Sequence, residues 1–236
     1  MHSHPAHHKP PEVAARPGRA AFFDVDGTLI STNVVHAFGY YAQNEGSVTG
    51  ILKRSLGTVA SIPLFAALNL VDRKVFNEFF YRSYAGFSED RLLTMSEDLF
   101  EDLLKKAIYP RAQDLITEAR RAGCRIVFVT GGMDFTMAPL AKYLGADDLI
   151  ANQMQFVGGK ATGKVIPPII EGANKANVIR DYCEKHHIAL NLSHAYSDSA
   201  SDYAMLTVVG RPTAVNPDLR LRALARSYNW PILDLR

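Results

Sequence analysis

The sequence predicts an α/β protein: a parallel sheet with helices on both faces, carrying a helical insert after its first strand. Short apolar runs that read as buried strands alternate with helical segments from about Arg111 to the C-terminus, and this βαβαβ order implies parallel pairing with right-handed crossovers. The long stretch between the first strand and the next clear one, Arg125 to Val129, has helical periodicity throughout.

The first strand lies in Ala20 to Ile30. Two Phe make its apolar run, and Gly27-Thr28 ends it with a turn, so Asp24 and Asp26 sit at its carboxyl end, where open α/β sheets bind ligands. Side chains alternate along a strand, which puts both acids on one face and turns Val25 toward the packing on the other. Two adjacent carboxylates repel unless a cation or a shared proton relieves them.

The insert runs from about Ser31 to Tyr109 and reads as helices over Val34 to Gln43, Val48 to Leu70 with breaks at Gly57 and Pro63, Asp72 to Tyr84, and Ser88 to Ala107. Phe76, Phe79, Phe80 and Tyr84 recur at helical spacing, as do Leu92, Met95, Leu99 and Leu103, the pattern of a helix-bundle core. Tyr109-Pro110 breaks the pattern and, with Ser31, forms a pair of candidate hinges.

Strand and helix then alternate. Arg111 to Ala122 is a helix ended by Gly123, Ile126 to Val129 a buried strand, and Met133 to Leu144 a helix closed by Gly145. Leu149-Ile150 reads as a short strand and Gln153 to Val165, around Gly158-Gly159, as a small hairpin. Helices follow at Lys175 to His186, Asp202 to Val208 and Pro217 to Ser227, with strands ending at Ala195-Tyr196, Thr213 to Val215 and Pro231-Ile232. The expected organisation is a His- and Pro-rich disordered tail over 1–19, a core of 20–30 and 110–236, and an insert of 31–109.

Composition narrows the function. Hydrophobic residues make up 47% and charged residues 21%, ordinary for a soluble globule, and a formal charge of +2 gives no reason to propose nucleic acid as a partner. The two cysteines, Cys124 and Cys183, are too few for a disulfide scaffold and fit a reducing cytoplasm. The tail has no apolar run behind a basic start.

Further chemical groups fall at strand ends or helix starts. Val129-Thr130-Gly131-Gly132 offers a hydroxyl and unhindered N–H groups before a helix, suited to an anionic oxygen, although such a triplet alone is also a plain turn. Lys175 opens a helix, where a cation opposes the macrodipole by about 0.3–1 kcal/mol, so something other than helix stability must favour it if it is not a solvated surface lysine. Asp198 and Asp202, four residues apart, would repel if both faced one way, which again calls for a cation or a basic partner.

Taken together, Phe-Phe-Asp24-Val-Asp26-Gly-Thr-Leu, Thr130, Lys175 and Asp198-x-x-x-Asp202 resemble, in order and strand position, the four motifs of the haloacid dehalogenase superfamily, and within it the phosphoserine-phosphatase-like group IB. Val209 to Asp218 and Trp230-Pro-Ile also look like that group. The resemblance implies a Rossmann-like core with a C1-type cap and a Mg²⁺-dependent phosphatase. It implies Asp24 as nucleophile and Asp26 as acid and base. Asp24, Asp198 and the backbone carbonyl of Asp26 would be metal ligands, and Thr130, Gly131 and Lys175 would hold the phosphoryl oxygens. Asp202 would orient Lys175 or a metal-bound water. Asp26 is the discriminating residue, since dehalogenases of the superfamily lack that acid and its ATPases carry Thr there.

The expected substrate is a small or lipid-like phosphomonoester. The alternatives are phosphoserine phosphatase proper and, from another class, a catalytically silent regulatory or binding protein. In the resembling phosphoserine phosphatases a Glu of the cap entrance faces the substrate ammonium; the matching position here is Asn33, with Glu45 or Glu78 able to substitute. Ser55 to Val71 is apolar but shorter than the ~20 residues a membrane span needs and is broken by Pro63 and Asn69. Lys53 and Arg54 beside it keep contact with a membrane surface as a disfavoured option.

Overall fold

In the computed structural model the described residues are 18–32, 34–43, 81–82 and 84–236. The readings made for the His-rich tail up to residue 17, for Asn33, Glu45 and Glu78, and for Ser55 to Val71 lie outside them. Among the described residues no helix is long and apolar enough to cross a membrane.

The strands are β1 (Arg19–Phe23), β2 (Cys124–Met133), β3 (Asp148–Val157), β4 (Lys160–Ile166), β5 (His194–Ser197), β6 (Arg211–Val215) and β7 (Ile232–Leu233). They form one seven-stranded sheet in the order β4-β3-β2-β1-β5-β6-β7. All neighbours pair in parallel except β3 and β4. The helices are α1 (Val34–Gln43), α2 (Glu89–Leu99), α3 (Ala112–Arg121), α4 (Asp134–Leu144), α5 (Ala173–Lys185), α6 (Tyr203–Thr207) and α7 (Leu219–Ser227).

Alternation along β1 builds the two layers. Ala21 and Phe23, with Ile126 and Phe128 of β2, face a core shared with Leu115 and Ile116 of α3 and Leu140 of α4. Ala20 and Phe22, with Val127 and Val129, face Ile179 of α5, Met205 of α6 and Leu221 of α7. Every one of these side chains is buried, so β1 is apolar on both faces, as a central parallel strand must be.

The chain departs from the sequence reading where pairing overrides local pattern. β1 begins at Arg19, and Gly18 already bridges Ile188, so the ordered core reaches into the segment read as tail. The hairpin read over Gln153 to Val165 is present, β3 turning back on β4 through Gly158 and Gly159, both at positive φ, but the strand at Leu149-Ile150 is not short: it runs on into the hairpin as one strand whose first half pairs with β2. β2 runs on through Thr130 to Met133, with a register shift opposite β3. The helix read over Ser88 to Ala107 is α-helical to Leu99, widens to a π turn over Phe100–Leu104 and tightens to 3₁₀ over Lys105–Ala107.

The two connections to the insert run side by side. Ile30 bridges Ile108, Ser31 donates from its N–H to the Ala107 carbonyl at 2.8 Å, and Tyr109 donates to that of Leu29 at 3.0 Å.

Candidate active site

The carboxyl edge of the sheet gathers Asp24, Asp26, Thr130, Gly131, Lys175, Asp198 and Asp202. Asp24 follows β1 and continues its ladder, its N–H bonded to the Tyr196 carbonyl at 2.9 Å. Val25 is fully buried in the opposite core layer. Gly27 then takes φ 83°, and a Cβ there would run into the Asp198 carboxylate, so the turn must be glycine for two independent reasons.

Lys175 is 5% exposed, and its ammonium donates to Asp24 Oδ1 at 2.6 Å and to Asp202 Oδ2 at 2.8 Å. α5 starts at Ala173, which makes Lys175 its third residue; the charge unfavourable for the helix is held by two buried acids. Burial opposes the ammonium, but Asp202 and Asp24 outweigh it and hold Lys175 above its ordinary range. Asp202, ending a 3₁₀ turn, also accepts the Ser197 hydroxyl at 2.8 Å.

Asp198, just past β5, faces Asp24 across Thr28, whose hydroxyl lies 2.9 Å from Asp24 Oδ2 and 3.3 Å from Asp198 Oδ1. Burial, then Asp24 and Asp202, push the Asp198 carboxyl up to about 8. Burial also raises Asp24, against the pull of Lys175. One ammonium serves this group of acids, and a hard cation between Asp24 and Asp198 would remove the remaining penalty. Among the described residues no three His, Cys, Asp or Glu side chains gather as a metal cluster. A donor set of two carboxylates and one backbone carbonyl, completed by water and phosphate, fits Mg²⁺.

Thr130 and Gly131 lie in the distorted end of β2. Thr130 Oγ1 reaches Asp26 Oδ2 at 3.4 Å and accepts the Gly132 N–H at 3.0 Å. Beside them lies a small crevice of about 10 Å³, lined by Ala37, Tyr81 and Tyr84 of the insert and by Gly131, Gly132, Met133, Thr136 and Met137 of the core.

Several site residues carried no signal strong enough to be singled out from sequence. Thr28 was read as turn, yet it bridges the two acids. Asn216, at φ 47°, donates to the Gly27 and Thr28 carbonyls at 3.3 Å each and accepts the Leu235 N–H, clamping the acid loop to the C-terminus. Asn152 is buried in β3, and a polar side chain inside an apolar strand must find partners, which was the available clue.

A doubly wound sheet with paired acids and a buried lysine at its carboxyl edge defines an α/β enzyme for an anionic substrate. Comparison with known proteins gives the family. The family model for haloacid dehalogenase-like hydrolase matches residues 21–207. A phosphoserine phosphatase of Mycobacterium tuberculosis, SerB1, is 30% identical over 224 residues, which span 92% of this chain and 71% of that protein. A Bordetella pertussis protein of unknown function has a solved structure with TM-score 0.82 at 25% identity, covering 93% of this chain and 100% of that one. A phosphoserine phosphatase with a phospho-aspartyl intermediate analogue shares the fold with TM-score 0.65 at 17% identity, over 94% of this chain and 95% of its own. The chain belongs to the haloacid dehalogenase-like hydrolases, in their phosphoserine-phosphatase-like group, and is an enzyme of the phosphatase type.

Proposed function

We propose that this chain hydrolyses a small or lipid-like phosphate monoester through a phosphoaspartate on Asp24, with Mg²⁺ held by Asp24, Asp198 and the backbone carbonyl of Asp26. The observation that carries the reading is the buried Asp24 carboxylate, held on one oxygen by Lys175 and on the other by Thr28, with Asp198 alongside. A carboxylate fixed on both sides keeps the orientation that in-line attack needs.

In the first half-reaction Asp24 attacks phosphorus, the bond from phosphorus to the ester oxygen breaks, and Asp26 gives that oxygen its proton. An alkoxide is a poor leaving group, so an acid within reach is required. Asp26 then takes a proton from water, which attacks phosphorus and frees Asp24 and phosphate. Thr130, the Gly131 backbone and Lys175 face the transferring oxygens, where charge spreads in the transition state. Bound Mg²⁺ supplies charge neutralisation, so that carboxylate and phosphate, both anionic, approach.

The wall beside Gly131 is mainly aromatic, aliphatic and thioether, with the Thr136 hydroxyl and no charged group among its described residues, which matches a neutral or apolar alcohol better than a charged one. Phosphoserine is the second reading, favoured by the name of the Mycobacterium tuberculosis relative. A silent binding role would need a missing catalytic group, and none of the expected core residues is missing. With an aryl phosphate, a burst of phenol release that needs Mg²⁺ and vanishes in Asp24→Asn supports the chemistry; turnover by Asp24→Asn overturns it. Comparing kcat/KM for phosphoserine, histidinol phosphate, glycerol phosphates and lysophospholipid phosphates decides the substrate. A tenfold lead for phosphoserine, about 1.4 kcal/mol, would replace the first reading with the second.

A further inference from the structure

The end of β2 leaves its ladder where the phosphate-binding turn begins. Val129 pairs with Ile150 and Met133 with Asn152, so residues 130–132 bulge out opposite a single residue of β3. A bulge strips backbone groups of their ladder partners, and a buried carbonyl left that way must be satisfied by something else. Side chains satisfy the Gly131 carbonyl. Asn152 Nδ2 donates to it at 2.8 Å, and the hydroxyl of Tyr81, from the insert, donates to it at 2.9 Å.

The arrangement closes on itself. Asn152 Nδ2 also donates to Tyr81 Oη at 2.8 Å, and Asn152 Oδ1 accepts the N–H of Ile170 at 2.8 Å. Ile170 belongs to the loop that leads into α5 and Lys175, and its carbonyl packs against Gly131. The far side of the gripped peptide is held as well: the N–H of Gly132 donates to Thr130 Oγ1, which in turn reaches Asp26. Asn152 and Tyr81 are 1% and 3% exposed, a depth at which linked hydrogen bonds reinforce one another.

We propose that Asn152 is a positioning residue for phosphoryl transfer, and that with Tyr81 it locks the phosphate-binding turn into its working shape. Tyr81 is the insert's contribution to the lock. While it is seated, the Gly131–Gly132 peptide has one orientation, which aims the Thr130 hydroxyl at Asp26 and exposes the Gly131 N–H side to the transferring group. Without the Tyr81 hydroxyl the carbonyl keeps one side-chain partner instead of two, and the turn is less firmly held.

The proposal rests on the phosphatase reading above, and one set of assays separates the two. The full chain with Mg²⁺ and p-nitrophenyl phosphate is compared with Tyr81→Phe, Asn152→Asp and the double variant, with thermal melts alongside. Tyr81→Phe removes one hydroxyl and keeps the ring, so its melting temperature stays near that of the wild type. Its kcat falls about tenfold with KM little changed, because the oxygen contacts set by the turn are strongest in the transition state. Asn152→Asp loses both donors and falls about a hundredfold. The double variant matches Asn152→Asp and does not show the product of the two losses, since both donors act on one carbonyl. A Tyr81→Phe enzyme with wild-type kcat, a loss confined to KM, or multiplicative losses in the double variant each overturn the coupling while leaving the phosphatase reading intact. Should Asn152→Asp fail to fold, Tyr81→Phe decides alone. A wild type with no Mg²⁺-dependent turnover, or an Asp24→Asn variant equal to it, removes the phosphatase reading and this proposal with it.

Discussion

Replacing Lys175 with Met should destabilise the metal-free protein by about 3–5 kcal/mol, the cost of leaving buried acids without their cation. The ammonium lies 2.6 Å from Asp24 and 2.8 Å from Asp202, and all three side chains are at most 7% exposed. At an effective dielectric of about 20 each contact carries roughly 6 kcal/mol of Coulomb attraction, against several kcal/mol per ion for desolvation. The methionine keeps the length of the chain, so packing changes little and the charge term dominates. For a chain of this size the expected fall in Tm is about 6–20 °C. The loss should shrink at pH 5 and grow toward pH 8. Burial already raises the Asp24 carboxyl, and without the ammonium it rises further; a raised acid costs stability as pH climbs above its unfolded value and costs nothing when protonated in both states. Asp202→Asn in the same background should recover part of the loss. Calorimetric melts in EDTA from pH 5 to 8 test this. A Tm within 2 °C of wild type, or a larger loss at pH 5 than at pH 8, would refute the reasoning.

Other consequences are equally concrete. Asp26→Asn should lose far less activity on p-nitrophenyl phosphate than on an alkyl phosphate, because an activated leaving group needs no proton, whereas Asp24→Asn should lose both alike; the ratio of the two rates is the measurement. Asp198→Asn and Gly27→Ala should both raise the Mg²⁺ concentration for half-maximal rate by at least about tenfold, the first by removing a ligand and the second by driving a methyl group into the Asp198 carboxylate at φ 83°; a Mg²⁺ titration reads it. His194 is held below its usual range by burial, then by Arg211 and Arg19, and its Nε2 is buried with no hydrogen-bond partner among the described residues. A histidine kept neutral by the fold contributes stability above its unfolded value that is lost as pH falls toward the folded one. His194→Gln should therefore flatten the decline in Tm between about pH 6.5 and pH 5.

The acid pair, the glycine turn after it and the buried first strand were all legible in the sequence, because each rests on local chemistry: alternation puts Asp24 and Asp26 on one side, and Gly27 is a turn residue wherever it falls. The alternation of strand and helix after Arg111 follows equally from periodicity. What sequence could not decide is who meets whom across the sheet. Nothing near Lys175 in the chain says that its partners are Asp24, 151 residues away, and Asp202, 27 away; the crossovers of the parallel sheet bring them together. The same holds for β3, read from sequence as a short strand at Leu149-Ile150 followed by a hairpin from Gln153. The strand is continuous because its two halves satisfy different neighbours, β2 on one side and β4 on the other. Asn152 drew no role from the sequence, and tertiary structure made it a junction: the bulge in β2 leaves the Gly131 carbonyl without a ladder partner, and a side chain from the next strand is positioned to bond it. Local sequence determined which chemical groups this chain brings to its active edge, and only the packing of distant strands determined which of them share a hydrogen bond.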